Sequence, residues 1–167
     1  MTDSVTVTRG ERTLRLPRRS SALDEARRFA DLAVRQCSEV CREAVALAVT
    51  ELGENLLKYG SQKDPAHAGT IAVGVEGDRI RVRAVGGVLS PDDVRSVAGI
   101  VGKLAASDPG AGALYRDRLR ELFENPALAK AQLGLIRVAF EGGFRLSYSF
   151  AQPELEIIAE RQCGTAA

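Results

Sequence analysis

The chain has 167 residues, 45% of them hydrophobic and 27% charged, a composition typical of one globular domain. Its net charge of +1 gives no electrostatic reason to expect a nucleic-acid partner. No stretch approaches the roughly 18 consecutive apolar residues that indicate a membrane-spanning helix. We therefore expect a protein that binds neither nucleic acid nor membrane.

The cysteine content predicts a reduced protein. Three cysteines, Cys37, Cys41 and Cys163, do not make a disulfide framework, and no ligand set stands at zinc spacing. The segment from Met1 to Ser4 lacks the basic and apolar character of a signal peptide. We predict mostly buried, reduced thiols and a cytoplasmic location.

The N-terminal region predicts a hairpin followed by a helix. Residues 4–17 alternate between apolar and polar types on either side of a turn at Gly10, and Pro17 ends the second strand. Ser21 and the acidic residue three positions later resemble a capping box. Apolar residues at helical spacing then predict a helix that continues to about Gln36.

A second, longer helix is predicted from about Glu39 to Tyr59, and Gly60 is placed to stop it. A polar loop follows at residues 62–69. The apolar residues of this helix fall on one broad arc: Val40, Ala44, Val45, Leu47, Ala48, Val49, Leu52 and Leu56.

The rest of the chain predicts two strand pairs separated by helices. Strands at residues 71–75 and 80–84 are joined by a tight turn at Gly77, and further strands are predicted at residues 144–150 and 155–158. Three N-cap residues followed by proline predict helices that begin at Pro91, Pro109 and Pro126. One strand carries a solvated row of arginines: Arg79, Arg81 and Arg83.

This order of elements predicts an α+β fold. Hairpin-linked strands favour a mixed or antiparallel sheet, and grouped helices favour a layer on one face, giving a two-layer sandwich. We expect a single domain over residues 1–163 and a frayed tail at residues 164–167.

Two polar residues stand on the apolar arc of the second helix. Glu51 and Asn55 lie one turn apart there, and a carboxylate in such a place is unfavourable unless it is paired. They either satisfy backbone groups at a seam or line a functional site together. A glutamate can deprotonate a nucleophile, and an amide oxygen can hold Mg²⁺.

The run from Thr50 to Gly60, Thr-Glu-Leu-Gly-Glu-Asn-Leu-Leu-Lys-Tyr-Gly, resembles the N box of the GHKL superfamily. That group includes gyrase, histidine kinases and the anti-sigma-factor serine kinases. The resemblance implies a histidine kinase-like ATPase fold with ATP and Mg²⁺ as cofactors. It implies that Glu51 is the general base, that Asn55 is the Mg²⁺ ligand and that Lys58 lies near the phosphates.

Segments nearer the C-terminus resemble the SiaB-like kinase subgroup. They are Tyr115–Leu122, Leu133–Ile136, Gly142-Gly143 and Leu146–Phe150. This resemblance implies a signalling regulator that phosphorylates serine or threonine on a partner protein, either a STAS-domain protein or a sigma factor.

The first glycine-rich box of the superfamily, Asp-x-Gly-x-Gly, corresponds here to Ala84-Val85-Gly86-Gly87-Val88. Gly86 and Gly87 are candidate nucleotide-binding residues. Ala84 replaces the aspartate that would accept the adenine amino group. Loss of a charged acceptor weakens binding by roughly 1.5–3 kcal/mol.

The second box, Gly-x-Gly-Leu-Gly-Leu, corresponds to Lys130-Ala131-Gln132-Leu133-Gly134-Leu135. Lys130 and Gly134 are candidate phosphate-binding residues. Gln132 replaces a glycine that would let the backbone approach the phosphates. The sequence Gly110-Ala111-Gly112 is an alternative flexible element, although a helix start explains it equally well.

Three functional hypotheses remain open. The first is an ATP-dependent serine/threonine kinase, which Glu51 and Asn55 favour. The second is a nucleotide-incompetent pseudokinase that binds a partner protein, which the altered residues at positions 84, 130 and 132 favour. The third is a dimerisation role, with the arginine row as a candidate surface for a homodimer.

Overall fold

The computed structural model describes residues 6–8, 10–60, 62–88, 90–106, 111–124 and 126–163. Within them the elements are β1 (Thr6–Thr8), β2 (Glu11–Pro17), α1 (Ala22–Ala33), α2 (Glu39–Tyr59), β3 (His67–Glu76), β4 (Arg79–Gly87), α3 (Pro91–Ala106), α4 (Ala111–Glu124), α5 (Pro126–Phe140), β5 (Arg145–Ala151) and β6 (Glu154–Gln162). The predicted order of strand pairs and helices is confirmed.

The described strands form one six-stranded sheet with the order β1-β2-β3-β4-β6-β5. Every neighbouring pair is antiparallel, so the α+β class and the antiparallel form of the sheet are confirmed. In the central pair, Ile71 lies opposite Ala84 and Val73 lies opposite Val82. These pairs place the apolar residues of both strands on the same face.

That apolar face packs against the helices. Helices α1 and α2 contact β3, α3 contacts β5, and α5 packs on α2 and α3. One cluster of buried residues joins the sheet to the helices, and Leu16, Leu52, Ile71, Ile100 and Ile136 are among its fully buried members. The arrangement is consistent with a two-layer α/β sandwich.

The opposite face of the sheet carries the arginine row. Arg81 Nε lies 2.8 Å from Glu160 Oε1, and Arg83 pairs with both Glu11, at 2.9 Å, and Glu156, at 2.6 Å. Each partly exposed pair contributes only about 0–1 kcal/mol. The prediction of a solvated charged face is confirmed for these residues, and their charges are already matched within the chain.

Helix α2 has the predicted bounds. Ser38 caps its start, with the hydroxyl accepting a hydrogen bond from the Cys41 amide at 3.4 Å. Gly60 ends it in an extended conformation, and a side chain there would place Cβ only 2.3 Å from the Leu56 carbonyl oxygen. Val40 is predicted on the apolar arc but is 66% exposed. Ala44, one turn later on the same face of α2, is the first of these residues to be buried.

Two local details of the prediction are wrong. Helix α1 begins after Ser21, but the Ser21 side chain caps no backbone amide. Its hydroxyl lies 2.5 Å from Glu25 Oε1 instead. The Arg19 and Ser21 hydrogen bonds lower the pKa of Glu25 to about 2. The loop predicted at residues 62–69 is shorter in the structure, because β3 pairs with β2 as far back as His67.

Two helix starts are confirmed, since Pro91 and Pro126 are the first residues of α3 and α5. The start predicted at Pro109 and the frayed tail at residues 164–167 lie outside the described residues. No helix within the described ranges is long and apolar enough to cross a membrane.

A disulfide joins Cys41 in the first turn of α2 to Cys163 after β6, with the two Cα atoms 6.0 Å apart. The prediction of reduced thiols is therefore wrong for this pair, although both residues are buried as predicted. Cysteine spacing along the chain gave no sign of the pair, because 122 residues separate its members. Cys37 is a free, partly buried thiol. Disulfides are typical of oxidising compartments, so this bond does not support the cytoplasmic location, which stays a prediction.

Candidate functional site

A cleft of about 720 Å³, including space open to solvent, lies between α2, the end of β4, the start of α3, α5 and β6. Its lining is mostly apolar. The lining residues are Leu52, Asn55, Leu56, Tyr59, Gly60, Ala84, Gly86, Gly87, Val88, Asp93, Ser96, Val97, Leu135, Leu155 and Ile157. A concave apolar cleft with a few polar groups is the usual form of a small-ligand site.

Glycines let the end of α2 approach β4 closely and so shape one end of the cleft. A Cβ at Gly86 would lie 2.6 Å from the Leu56 side chain. Gly69 has φ of +153°, and a Cβ there would lie 2.4 Å from the Val85 carbonyl oxygen. A larger residue at position 86 would push α2 away from β4, and a larger residue at position 69 would push β3 and β4 apart.

The polar side chains of the cleft come from two helices. Asn55 and Tyr59 lie one turn apart on α2, and Asp93 and Ser96 lie on α3. The Asp93 amide donates to Ser90 Oγ at 3.4 Å, and the Ser90 hydroxyl lies 3.1 Å from an Asp93 carboxylate oxygen. Among the residues that the structure describes, no basic side chain lines the cleft.

Glu51 lies beside the cleft lining and is engaged elsewhere. Its carboxylate, with the side chain 13% exposed, pairs with the Arg137 guanidinium of α5. Arg137 Nε also lies 3.2 Å from Glu141 Oε1, and the Tyr115 hydroxyl donates to the same carboxylate at 2.7 Å. We call these four residues the Arg137 network; it joins α2, α5 and α4.

The network perturbs its acidic groups in opposite directions. Burial raises the pKa of the Glu51 carboxyl above its ordinary value, and the nearby Arg137 charge only partly opposes this effect. The Arg137 hydrogen bond holds the pKa of Glu141 below its ordinary value. Of the two carboxyl groups in the network, Glu51 is therefore the one whose charged form the fold disfavours.

The raised pKa of Glu51 predicts that Glu51→Gln changes how the free energy of unfolding depends on pH. The pKa of Glu51 in the folded protein exceeds its unfolded value of about 4.3. Glu51 therefore lowers the free energy of unfolding of the wild type as the pH rises from the unfolded pKa through the folded pKa. The variant's stability relative to wild type is therefore expected to increase from about pH 4 towards pH 7. Urea denaturation at a series of pH values measures this difference.

Glu54→Gln is the matched control, because Glu54 is on the same helix but is 38% exposed. The slope of relative stability against pH should be steeper for Glu51→Gln than for Glu54→Gln. Equal slopes would contradict the assignment of the pH effect to the Glu51 carboxyl.

The other predicted site residues divide into two groups. Asn55, Gly86 and Gly87 line the cleft. Lys58 instead pairs with Glu54, at 3.1 Å, with both side chains largely exposed. Gly134 is buried in α5, where an added Cβ would lie 2.6 Å from a Glu51 carboxylate oxygen; its lack of a side chain lets α5 approach Glu51.

The second glycine-box segment, residues 130–135, lies within helix α5. Amides in a helix interior are hydrogen-bonded to carbonyls one turn earlier, so they are not directed at a ligand. Lys130 belongs to this helix, and its side chain lies outside the described residues.

Taken together, the described cleft residues do not fit Mg-ATP. Ala84 of β4 lines the cleft, and its side chain offers no acceptor for an adenine amino group. No basic side chain among the described lining residues is present to neutralise a triphosphate. The segment at residues 130–135 supplies no phosphate-binding loop. Asn55 is the one proposed Mg²⁺ ligand that the cleft does present.

Four residues of the site were missed from the sequence. Tyr59, Asp93 and Ser96 line the cleft, and Arg137 pairs with Glu51. The unfavourable position of Glu51 on an apolar arc did indicate that a partner exists. Nothing local to Arg137 identified it as that partner, because 86 residues separate the two.

Comparison with protein-family models gives no match, and comparison with curated proteins gives no relative at a significant level.

Proposed function

We propose that this chain is an intracellular signalling regulator of the pseudokinase type, which binds a partner protein and transfers no phosphoryl group. The pairing of Glu51 with Arg137 carries the proposal. A general base must reach the proton that it removes. A carboxylate held by a guanidinium, beside rather than in the cleft lining, is poorly placed for that role.

A histidine kinase-like ATPase fold is part of the proposal. It is supported by the antiparallel sheet with helices packed on one face, and by Asn55 of the N-box-like run facing the same cleft as Gly86 and Gly87. The poor fit to Mg-ATP supports a form of this fold that has lost phosphoryl transfer.

The proposed partner is a STAS-domain protein or a sigma factor, which follows from the resemblance to anti-sigma and SiaB-like kinases. A homodimer is a separate proposal, because pairing of sheet edges or helix faces is common for such a domain. The arginine row is a weak candidate for either interface, because Arg81 and Arg83 already pair with glutamates of the chain.

A serine/threonine kinase is the second candidate, and one observation favours it. Asn55, Gly86 and Gly87 all line the cleft, so an amide ligand for Mg²⁺ and two positions without a side chain are present. Such a kinase requires Arg137 to release Glu51 before the carboxylate acts as a base.

We expect no phosphoryl transfer when the full chain is mixed with labelled Mg-ATP and a purified STAS-domain protein or sigma factor from the same organism. The label found on the partner should equal that obtained with Glu51→Ala, and calorimetry should still detect binding of the partner to both proteins. Transfer by the wild type that Glu51→Ala abolishes would overturn the pseudokinase proposal in favour of the kinase.

A further inference from the structure

We infer that β5, the edge strand of the sheet, is a dimer interface at which it pairs antiparallel with β5 of a second copy of this chain. The two sheets then join into one, across a two-fold axis at Tyr148. This inference gives the separately proposed homodimer its surface. It rests on neither the kinase nor the pseudokinase proposal.

The edge of the sheet at β5 is open. Among the described strands, β5 has one neighbour, β6. Its seven residues, Arg145–Ala151, pair with β6 in an unbroken register and include no proline and only one charged side chain. Alternate backbone N–H and C=O groups of an edge strand point away from its neighbour, and proteins usually protect such an edge with prolines, charges or bulges. A strand without these protections is suited to pair with another strand.

The helix-facing side of β5 exposes two aromatic residues. Tyr148 and Phe150 are 40% and 42% exposed, whereas Leu146 on the same side is buried. The residues opposite the two rings on β6, Ile157 and Leu155, are also buried, so the rings extend the apolar face of the sheet to its edge. Helix α3 contacts β5 but leaves both rings partly uncovered. A strand added at this edge brings apolar side chains beside them and removes them from water.

The sequence of β5 is complementary to itself. In the antiparallel register that pairs all seven residues with a second copy, Tyr148 meets Tyr148 at the axis. On the same face Leu146 meets Phe150, and on the opposite face Ser147 meets Ser149. Apolar and aromatic side chains, and pairs of hydroxyls, form favourable cross-strand neighbours. The strand that fits β5 in this way is β5 itself, which makes a second copy the occupant of the edge.

Charge complementarity supports the same register. Arg145, the one charged residue of β5, meets Ala151 of the second copy, and Ala151 lies opposite Glu154 of its own chain. Arg145 of one copy and Glu154 of the other therefore share a face with only an alanine between them. Two strand spacings, about 10 Å, are within the combined reach of an arginine and a glutamate. Both residues are exposed, and neither forms an ion pair within the described part of the chain.

Sedimentation velocity of the full chain, from micromolar to submillimolar concentration, tests the inference. The wild type should form a dimer as its concentration rises. Tyr148→Lys should weaken dimerisation by about tenfold to a hundredfold, because it removes the aromatic pair and opposes two like charges at the axis. Val40→Lys is the matched control, since Val40 is 66% exposed but lies on α2, outside the sheet. It should leave dimerisation unchanged, and thermal denaturation should show that both variants fold.

Two charge reversals test the register. Arg145→Glu and Glu154→Arg should each weaken dimerisation by about tenfold, because each turns both symmetric attractions into repulsions. An equal mixture of the two variants should dimerise as tightly as the wild type, since both contacts of the mixed dimer join opposite charges. Arg145 and Glu154 stand at opposite ends of the β5–β6 ladder within one chain, so this recovery arises only between copies.

Three outcomes would overturn the inference: a wild type that stays monomeric at submillimolar concentration, equal effects of Tyr148→Lys and Val40→Lys, or a mixture that dimerises no better than its components. A monomeric wild type would leave the pseudokinase proposal intact. Phosphoryl transfer to the partner would overturn that proposal and leave the dimer unaffected, so the two failures are distinguishable.

Discussion

Reduction of the Cys41–Cys163 disulfide is expected to lower the free energy of unfolding by about 4–5 kcal/mol. The bond closes a loop with a sequence separation of 122 residues, and opening so long a loop restores much conformational freedom to the unfolded chain. Urea denaturation with and without reductant measures the difference. Cys163→Ala should reproduce the effect of the reductant, and reductant should then have no further effect.

Cys37→Ala is the control, because Cys37 is a free thiol that lies close to Cys41 in the sequence. It should preserve the full difference between oxidised and reduced protein. Thiol titration of the denatured, unreduced wild type should find one reactive thiol. Three reactive thiols, or identical denaturation midpoints with and without reductant, would contradict the prediction.

The elements of the fold were predictable because their signals are local. The long apolar periodicity from Glu39 and the stop at Gly60 define α2, and alternation of apolar residues defines β3 and β4. Such patterns report on neighbours within one turn or one hairpin. The two helix starts at Pro91 and Pro126 are local in the same way.

The contacts that decide the site are not local. Glu51 meets Arg137 across 86 residues, and Cys41 meets Cys163 across 122. Each pair depends on how helices pack on the sheet, which periodicity does not specify. Asp93 illustrates the same limit, since its helix start was predicted but its approach to the cleft follows from the placement of α3 over the sheet.

The position of Glu51 was predicted more fully than its role. An apolar arc that contains a carboxylate indicates a partner for that carboxylate, and the structure supplies Arg137. The resemblance to the N box implied a base that faces a nucleotide, and this role remains untested. Gly134 was predicted as a phosphate-binding residue. In the structure its lack of a side chain lets α5, which carries Arg137, approach the Glu51 carboxylate.

Arg137→Met is expected to destabilise the fold by about 2–3 kcal/mol, measured by urea denaturation at pH 7. The change removes the positive partner of Glu51, whose side chain is only 13% exposed, and leaves an unpaired carboxylate between α2 and α5. The estimate is below the 3–5 kcal/mol of a fully buried pair, because Arg137 itself is 37% exposed. Methionine retains most of the side chain's apolar contacts.

The double variant Glu51→Gln with Arg137→Met separates lost charge pairing from lost packing. If the unpaired Glu51 charge causes the destabilisation, the added glutamine recovers most of it, and the double variant is more stable than Arg137→Met alone. Glu141→Gln combined with Arg137→Met is the control, since Glu141 is 34% exposed and water can solvate it once Arg137 is gone. A double variant no more stable than Arg137→Met would show that Arg137 acts through packing, and it would remove the ion pair as the reason that Glu51 is held away from catalysis.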